Sequence, residues 1–163
     1  MFRCNRQFMF GALLLASVSQ SVLANQTKTG WLEEVSIGGI GLTIEAKIDT
    51  GADNSSINAE NPTLYQKDGR QWVKFTVQNK NEHEIVIDKP VTKKTKIKTK
   101  NGGRQERVVI ELDICLGVIK KRVMVNLVDR SHFKYQLLIG RSFLSPDFLV
   151  DSSNTFSLKP QCQ

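Results

Sequence analysis

Apolar and polar side chains alternate with a period of two over most of the chain beyond residue 30, the signature of half-buried β-strands. Leu42-Thr43-Ile44-Glu45-Ala46-Lys47-Ile48 is the clearest case. With Trp31 to Ile37 and the intervening Gly38-Gly39 it predicts a hairpin that ends at Asp49. Trp72 to Val77 and Glu84 to Ile87 predict two further strands, separated by a polar turn over Gln78 to His83. Val91 to Lys100 predicts another, turning at Asn101-Gly102-Gly103 into Glu106 to Leu116, where Val108, Ile110, Leu112 and Ile114 share one face. Val118 to Val128 follows Gly117. Only Arg141 to Leu144, opened by Gly140, suggests a short helix. No heptad, repeat or low-complexity block interrupts this order. The pattern predicts an all-β domain, a closed or sandwich-like barrel.

The first 24 residues follow another pattern. Arg3 and Arg6 precede an apolar run from Phe8 to Val18, and Val22-Leu23-Ala24 places small residues where a signal peptidase cuts. A cleaved secretory signal over residues 1–24 and a periplasmic location are expected. The apolar run falls short of the ~20 residues a membrane span needs. Cys4 lies ahead of the run, away from the position of a lipoprotein anchor. Residues 25–163 then form one domain with enough chain to bury a core.

Charge narrows the choice of partners. Lys and Arg total 23 against 16 Asp and Glu, a net charge of +7. Losing Arg3 and Arg6 leaves 21 basic against 16 acidic residues, or +5. Much of the excess lies between Lys89 and Arg107, in Lys93, Lys94, Lys96, Lys98 and Lys100. A single-stranded nucleic-acid site interleaves aromatic residues with basic ones, and this segment has none, so nucleic acid is not expected. The alternation reads instead as the solvent face of a strand, with Thr95, Ile97 and Thr99 behind it. Attraction of an anionic envelope component is the alternative.

Cys115 and Cys162 remain after export. In an oxidising compartment they permit one disulfide tying the tail to the strand of Ile110 and Leu112; alternatively Cys115 is a small buried hydrophobe. His83 and His132, the only histidines, lie in no ligand-spaced arrangement and are expected at the surface. Asp113, Asp129, Asp147 and Asp151 lack a small-residue turn and are expected as surface or turn residues.

The chemistry concentrates at Asp49-Thr50-Gly51-Ala52. An Asp at the end of an apolar strand, followed by a hydroxyl residue and Gly, presents a carboxylate to water, and Gly allows a tight turn. Near the C-terminus runs Leu137-Leu138-Ile139-Gly140-Arg141-Ser142-Phe143-Leu144. Together these segments resemble the retropepsin-like aspartic proteases. Gly30-Trp31, Lys47 to Ala52, Glu106 to Ile110 and Leu138 to Leu144 are similar to the small bacterial members labelled ATP-dependent zinc proteases. No phosphate-binding loop or zinc cage accompanies that label, so neither ATP nor a metal is expected as cofactor.

The resemblance implies a single acid-protease lobe, a closed barrel with a flap hairpin at Asn101-Gly102-Gly103. Asp49, Thr50 and Gly51 would be catalytic. Ala52, Asp53, Asn101, Gly102 and Gly103 would meet substrate. Gly140 and Arg141 would support the loop from below, Arg141 through an ion pair with Asp53. One Asp-Thr-Gly per chain implies a dyad shared by two chains, a homodimer acting on a peptide or protein. Trp72 to Val91 adds strand material that minimal retropepsins lack, and Ser157 to Gln163 offers no match to their dimerising strands; no apolar terminal strand stands out as a permanent dimer seam. An exported endopeptidase is the leading expectation. A non-catalytic envelope-binding module is the second, and a hydrolase of another amide, such as peptidoglycan peptide or a poly-amino-acid modification, the third.

Overall fold

Among the described residues the chain forms twelve strands and one helical turn, in the order β1 (Thr27–Gly30), β2 (Leu32–Ile37), β3 (Leu42–Ile48), β4 (Ser55–Asn58), β5 (Thr63–Lys67), β6 (Arg70–Gln78), β7 (Glu84–Pro90), β8 (Lys93–Lys98), β9 (Arg104–Leu116), β10 (Ile119–Val128), β11 (Leu137–Ile139), α1 (Arg141–Leu144) and β12 (Phe148–Asp151). The computed structural model describes residues 25–38, 41–98 and 102–162. The expected leader at 1–24, the Gly39 half of the first turn, Thr99, Lys100 and Asn101 lie outside the described residues.

Strand pairing closes on itself. The order β10-β4-β11-β3-β2-β9 returns to its start through the antiparallel β9–β10 pair, and β8 pairs with β9 as an outlying hairpin arm. Val35, Ile37, Leu42, Ile44, Ile57, Ile110, Ile114, Val125, Leu137 and Ile139 fill the enclosed core, each at most 2% exposed. Burying each of these side chains stabilises the fold by about 2 kcal/mol. In β3 the alternation is read out directly: Leu42, Ile44, Ala46 and Ile48 are buried, while Thr43 and Lys47 face water.

β5, β6 and β7 form a separate antiparallel sheet. Val73, Phe75 and Val77 of β6 and Ile87 of β7 bury one face of it in the same core. This is the expected additional material. It stands as a second layer over the closed sheet.

The ends of the described chain meet. β1 pairs in parallel with β12 along Thr27↔Phe148 to Gly30↔Asp151. β12 carries Phe148, Leu149 and Val150, with Leu149 52% exposed, and Ser157 to Cys162 forms no strand. Beyond β12 the tail folds back. Phe156 N donates to Leu32 O, Gln161 N donates to Gly117 O, and Cys162 is bridged to Cys115 with their Cα atoms 6.0 Å apart. The bridge closes a 47-residue separation, for which chain entropy alone gives about 4 kcal/mol.

The tail is also held by Glu33, which is fully buried. Its carboxylate accepts from Gly30 N at 2.6 Å, Thr29 Oγ1 at 3.3 Å, Ser157 N at 3.2 Å and Leu158 N at 3.0 Å, and from the Ser157 hydroxyl. A buried carboxylate is tolerated where its oxygens are saturated by donors. This residue was not singled out in the sequence, although it occupies the inward position of the Glu33, Val35, Ile37 alternation.

Candidate active site

β11 lies between β3 and β4, parallel to the first and antiparallel to the second. Asp49 leaves β3 at that junction, its N–H donating to Ile139 O at 2.9 Å. The chain then turns at once: Gly51 N donates to Asp49 Oδ1 at 2.9 Å. Asp49 is half-buried, and among the described residues no ion pair includes it. One carboxylate oxygen is thus held by the turn, and no hydrogen bond from a described residue reaches the other.

Arg141 fixes the loop from beneath. Its Nη1 donates to Thr50 O at 2.7 Å, and its Nη2 pairs with the Asp53 carboxylate. Backbone bonds from Arg141 N to Ala52 O and from Ser142 N to Asp53 O, both 2.9 Å, complete the clamp. Asp53 is therefore committed to Arg141. Gly140 is required by close approach: a Cβ there would stand 2.7 Å from Asn54 C and 2.9 Å from Asp53 O. Its N–H donates to the buried Ser55 hydroxyl at 3.2 Å.

The β8–β9 hairpin pairs Lys98 with Arg104 at its described end. Gly102 has φ of 77°, a left-handed conformation suited to a turn without a Cβ. Gly102 and Gly103 are exposed there. Lys94 and Lys96 face solvent with Thr95 and Ile97 half-buried, and Lys94 pairs with Glu106 at 3.3 Å. His83 and His132 are exposed, and among the described residues no three His, Cys, Asp or Glu side chains converge as a metal site.

Sequence reasoning missed what surrounds Asp49. Lys47, Leu138 and Ser56 are register partners across β3, β11 and β4, so they share the outward face on which Asp49 also lies, two residues beyond Lys47. Trp31, whose carbonyl accepts from Ile48 N, meets Tyr135 edge to face at 6.4 Å. Arg130 is only 8% exposed, and Asp49 is near enough to act on it electrostatically. Burial pulls the guanidinium pKa below its ordinary value; Asp49 opposes that and Arg107 reinforces it. Arg130 stands among polar loop residues, where no periodicity marks it.

Comparison with known proteins places this geometry. The profile of the family described as "RimB-like: Retropepsin-like aspartic endopeptidase RimB" matches residues 28–161. A curated protein of Shewanella pealeana named "Probable alpha-L-glutamate ligase" is 35% identical over 118 residues, 71% of this chain and 26% of its own length. One of the same name from Parasynechococcus marenigrum is 31% identical over 130 residues, 77% of this chain and 28% of its own. The chain thus spans about a quarter of the curated relatives it matches. The crystal structure of the Legionella pneumophila protein Lpg0085, titled as of unknown function, superposes with a TM-score of 0.69 at 33% identity, covering 81% of this chain and 98% of that one. The narrower likeness to proteins labelled zinc proteases is not carried by these curated relatives, whose name is that of a glutamate ligase. With both the profile and the fold in agreement, the chain belongs to the RimB-like family of retropepsin-like aspartic endopeptidases.

Proposed function

We propose that the protein hydrolyses peptide bonds by an aspartic dyad built from the Asp49 side chains of two copies. The observation that carries this reading is the Asp49 carboxylate itself, at a strand end, with one oxygen held by Gly51 N and its loop clamped by Arg141. Two such carboxylates brought close cannot both ionise, so the pair shares a proton and titrates as a unit. The ionised member takes a proton from a water between them while the water oxygen bonds to the substrate carbonyl carbon. The protonated member delivers its proton to the carbonyl oxygen. Collapse of that tetrahedral species breaks the C–N bond, and a proton passes to the leaving nitrogen.

Each chain offers one Asp-Thr-Gly, so the dyad needs a two-fold axis and an isologous contact. The exposed Leu149 of β12, with Leu144, Pro146 and Phe148 lining an apolar depression beside Thr50 and Arg141, supplies a surface for that contact. The Cys115–Cys162 bridge and the signal-like residues 1–24 support an exported protein.

A second reading refines the substrate. The matching relatives carry this domain as about a quarter of a protein named for glutamate ligation, and Lys47 and Arg130 bring positive charge towards Asp49. A glutamyl-containing acidic chain suits both facts. The test is purified protein, wild type and Asp49→Asn, against a broad peptide mixture that includes oligoglutamates, at several pH values with and without EDTA. Hydrolysis that survives Asp49→Asn, or that is lost to EDTA and restored by zinc, would move the chemistry elsewhere. Binding without hydrolysis would make the domain a peptide-holding module.

A further inference from the structure

The outward side of the β5–β6–β7 sheet carries a row of flat rings. Val73, Phe75 and Val77 are buried in the core, so Trp72, Lys74 and Thr76 of the same strand point away from it. Strand register sets Tyr65, Trp72 and Pro90 side by side across all three strands. The Tyr65 and Trp72 rings are half-buried, 6.5 Å apart and tilted by 36°, and Pro90 is exposed beside them. Neighbouring strands stand about 4.8 Å apart, so the row spans roughly 10 Å, the length of a pair of linked sugar rings.

The polar groups around this row are either fixed or unspent. The Tyr65 hydroxyl donates to Asp88 Oδ1 at 2.6 Å, a bond that pushes its pKa up to about 12 and holds the ring in place. Among the described residues no hydrogen bond reaches the other Asp88 oxygen. Lys67 holds its ammonium 4.5 Å from the centre of the Trp72 ring, on a flexible stem that can trade the ring for a ligand. Arg70 and Lys74 are exposed. Among the described residues no ion pair includes Lys67, Arg70 or Lys74, although Lys74 is the register partner of Asp88.

Aromatic faces flanked by unpaired cations suit a polymer that stacks and carries negative charge. An acidic polysaccharide and a single-stranded nucleic acid both meet that description. Asp88 decides between them. Set among the cations, its carboxylate repels a phosphate backbone and accepts hydrogen bonds from sugar hydroxyls. The Cys115–Cys162 bridge also supports an exported protein, and export separates it from the nucleic acids of the cell. We propose that this face binds an acidic polysaccharide whose sugars carry carboxylates on the ring. Sugar rings stack on Trp72 and Tyr65, Asp88 takes a hydroxyl, and Lys67, Arg70 and Lys74 meet the carboxylates. The site lies on a different sheet from Asp49 and does not depend on the peptide-hydrolase reading.

The test titrates three probes into the full protein by calorimetry: tetragalacturonate, the neutral cellotetraose and a four-residue deoxythymidine oligonucleotide. Wild type is expected to bind tetragalacturonate at least about tenfold more tightly than either of the others. Trp72→Ala should weaken both sugars about tenfold by removing the stacking face. Lys67→Gln, Arg70→Gln and Lys74→Gln together should erase the preference for the acidic sugar and leave cellotetraose unchanged; these exposed changes keep the idea testable even if Trp72→Ala does not fold. Asp49→Asn should bind tetragalacturonate as wild type does. No binding of tetragalacturonate by wild type, or undiminished binding in a folded Trp72→Ala or charge variant, would overturn the proposal. Tighter binding of the oligonucleotide would overturn it in favour of nucleic acid, and loss of sugar binding in Asp49→Asn would overturn it by moving the sugar to the candidate active site.

Discussion

Glu33 and Asp49 sit on adjacent strands of one hairpin and carry the same functional group, yet the fold treats them oppositely. Glu33 is sealed from water and meets five donors from the chain termini. Asp49 is half-open and meets one side-chain bond, from Gly51 N. A saturated carboxylate has nothing left to offer a water molecule, and it holds segments together. A carboxylate with a vacant oxygen, on a loop immobilised by other groups, is equipped for proton transfer. The rigidity around Asp49 comes from Arg141 and Gly140, leaving the carboxylate itself uncommitted.

The sharpest way to break the comparison is to neutralise each group in turn. Asp49→Asn should lower hydrolysis about 1000-fold or more while leaving the unfolding midpoint near that of wild type. Excess Asp49→Asn chains should also suppress wild type through mixed dimers. Glu33→Gln should do the opposite, destabilising the domain by about 3 kcal/mol while each folded molecule keeps its activity. Denaturant titration beside specific activity reads both; a Glu33→Gln protein of wild-type stability would end its assignment as a structural clasp.

Reduction of the Cys115–Cys162 bridge sharpens the Glu33 side, since Ser157 and Leu158 reach Glu33 from the tail it anchors. Stability should fall by about 4 kcal/mol, measured with and without reductant. Leu149→Glu tests the other side by charging the proposed contact. It should lower activity per chain and restore it partly at high concentration, with sedimentation showing more monomer. Full activity from a strict monomer would defeat the shared dyad.

The smallest effect is expected at the surface. Arg122 donates two bonds to Asp113, and these hold the Asp113 pKa below its ordinary value. A depressed carboxyl pKa contributes stability above its unfolded value of about 3.9 and loses it as pH falls through the folded one. Arg122→Gln should therefore cost slightly at pH 7, and the difference from wild type should vanish in strong acid.

Strands with clean alternation were legible in the sequence because burial on one face writes itself into every second residue, as in β3 and β6. β4 and β5 were not, since Ser55-Ser56-Ile57-Asn58 and Thr63 to Lys67 carry little apolar signal; β4 owes its extension to the distant β10 and β11, and β5 to its hairpin with β6. β1 and β12 are equally short and stabilise each other across the whole domain. The Asp49 loop and its Arg141 support were readable because both lie in compact motifs. Arg130 was not, because its meaning depends on Ser56 and Tyr135 arriving from separate segments.

The threading of β11 between β3 and β4 also fixes when the Asp49 loop can assemble. Arg141 and Thr50 are 91 residues apart, and their contact closes one of the longest loops in the domain. Such distant pairings form slowly, and an N-terminal fragment cannot form them at all. A partly synthesised chain that stops before β11 would carry Asp49 without the strand that positions it. The loop closes only when β11 is in place, so the candidate site takes shape only late in the chain's own synthesis.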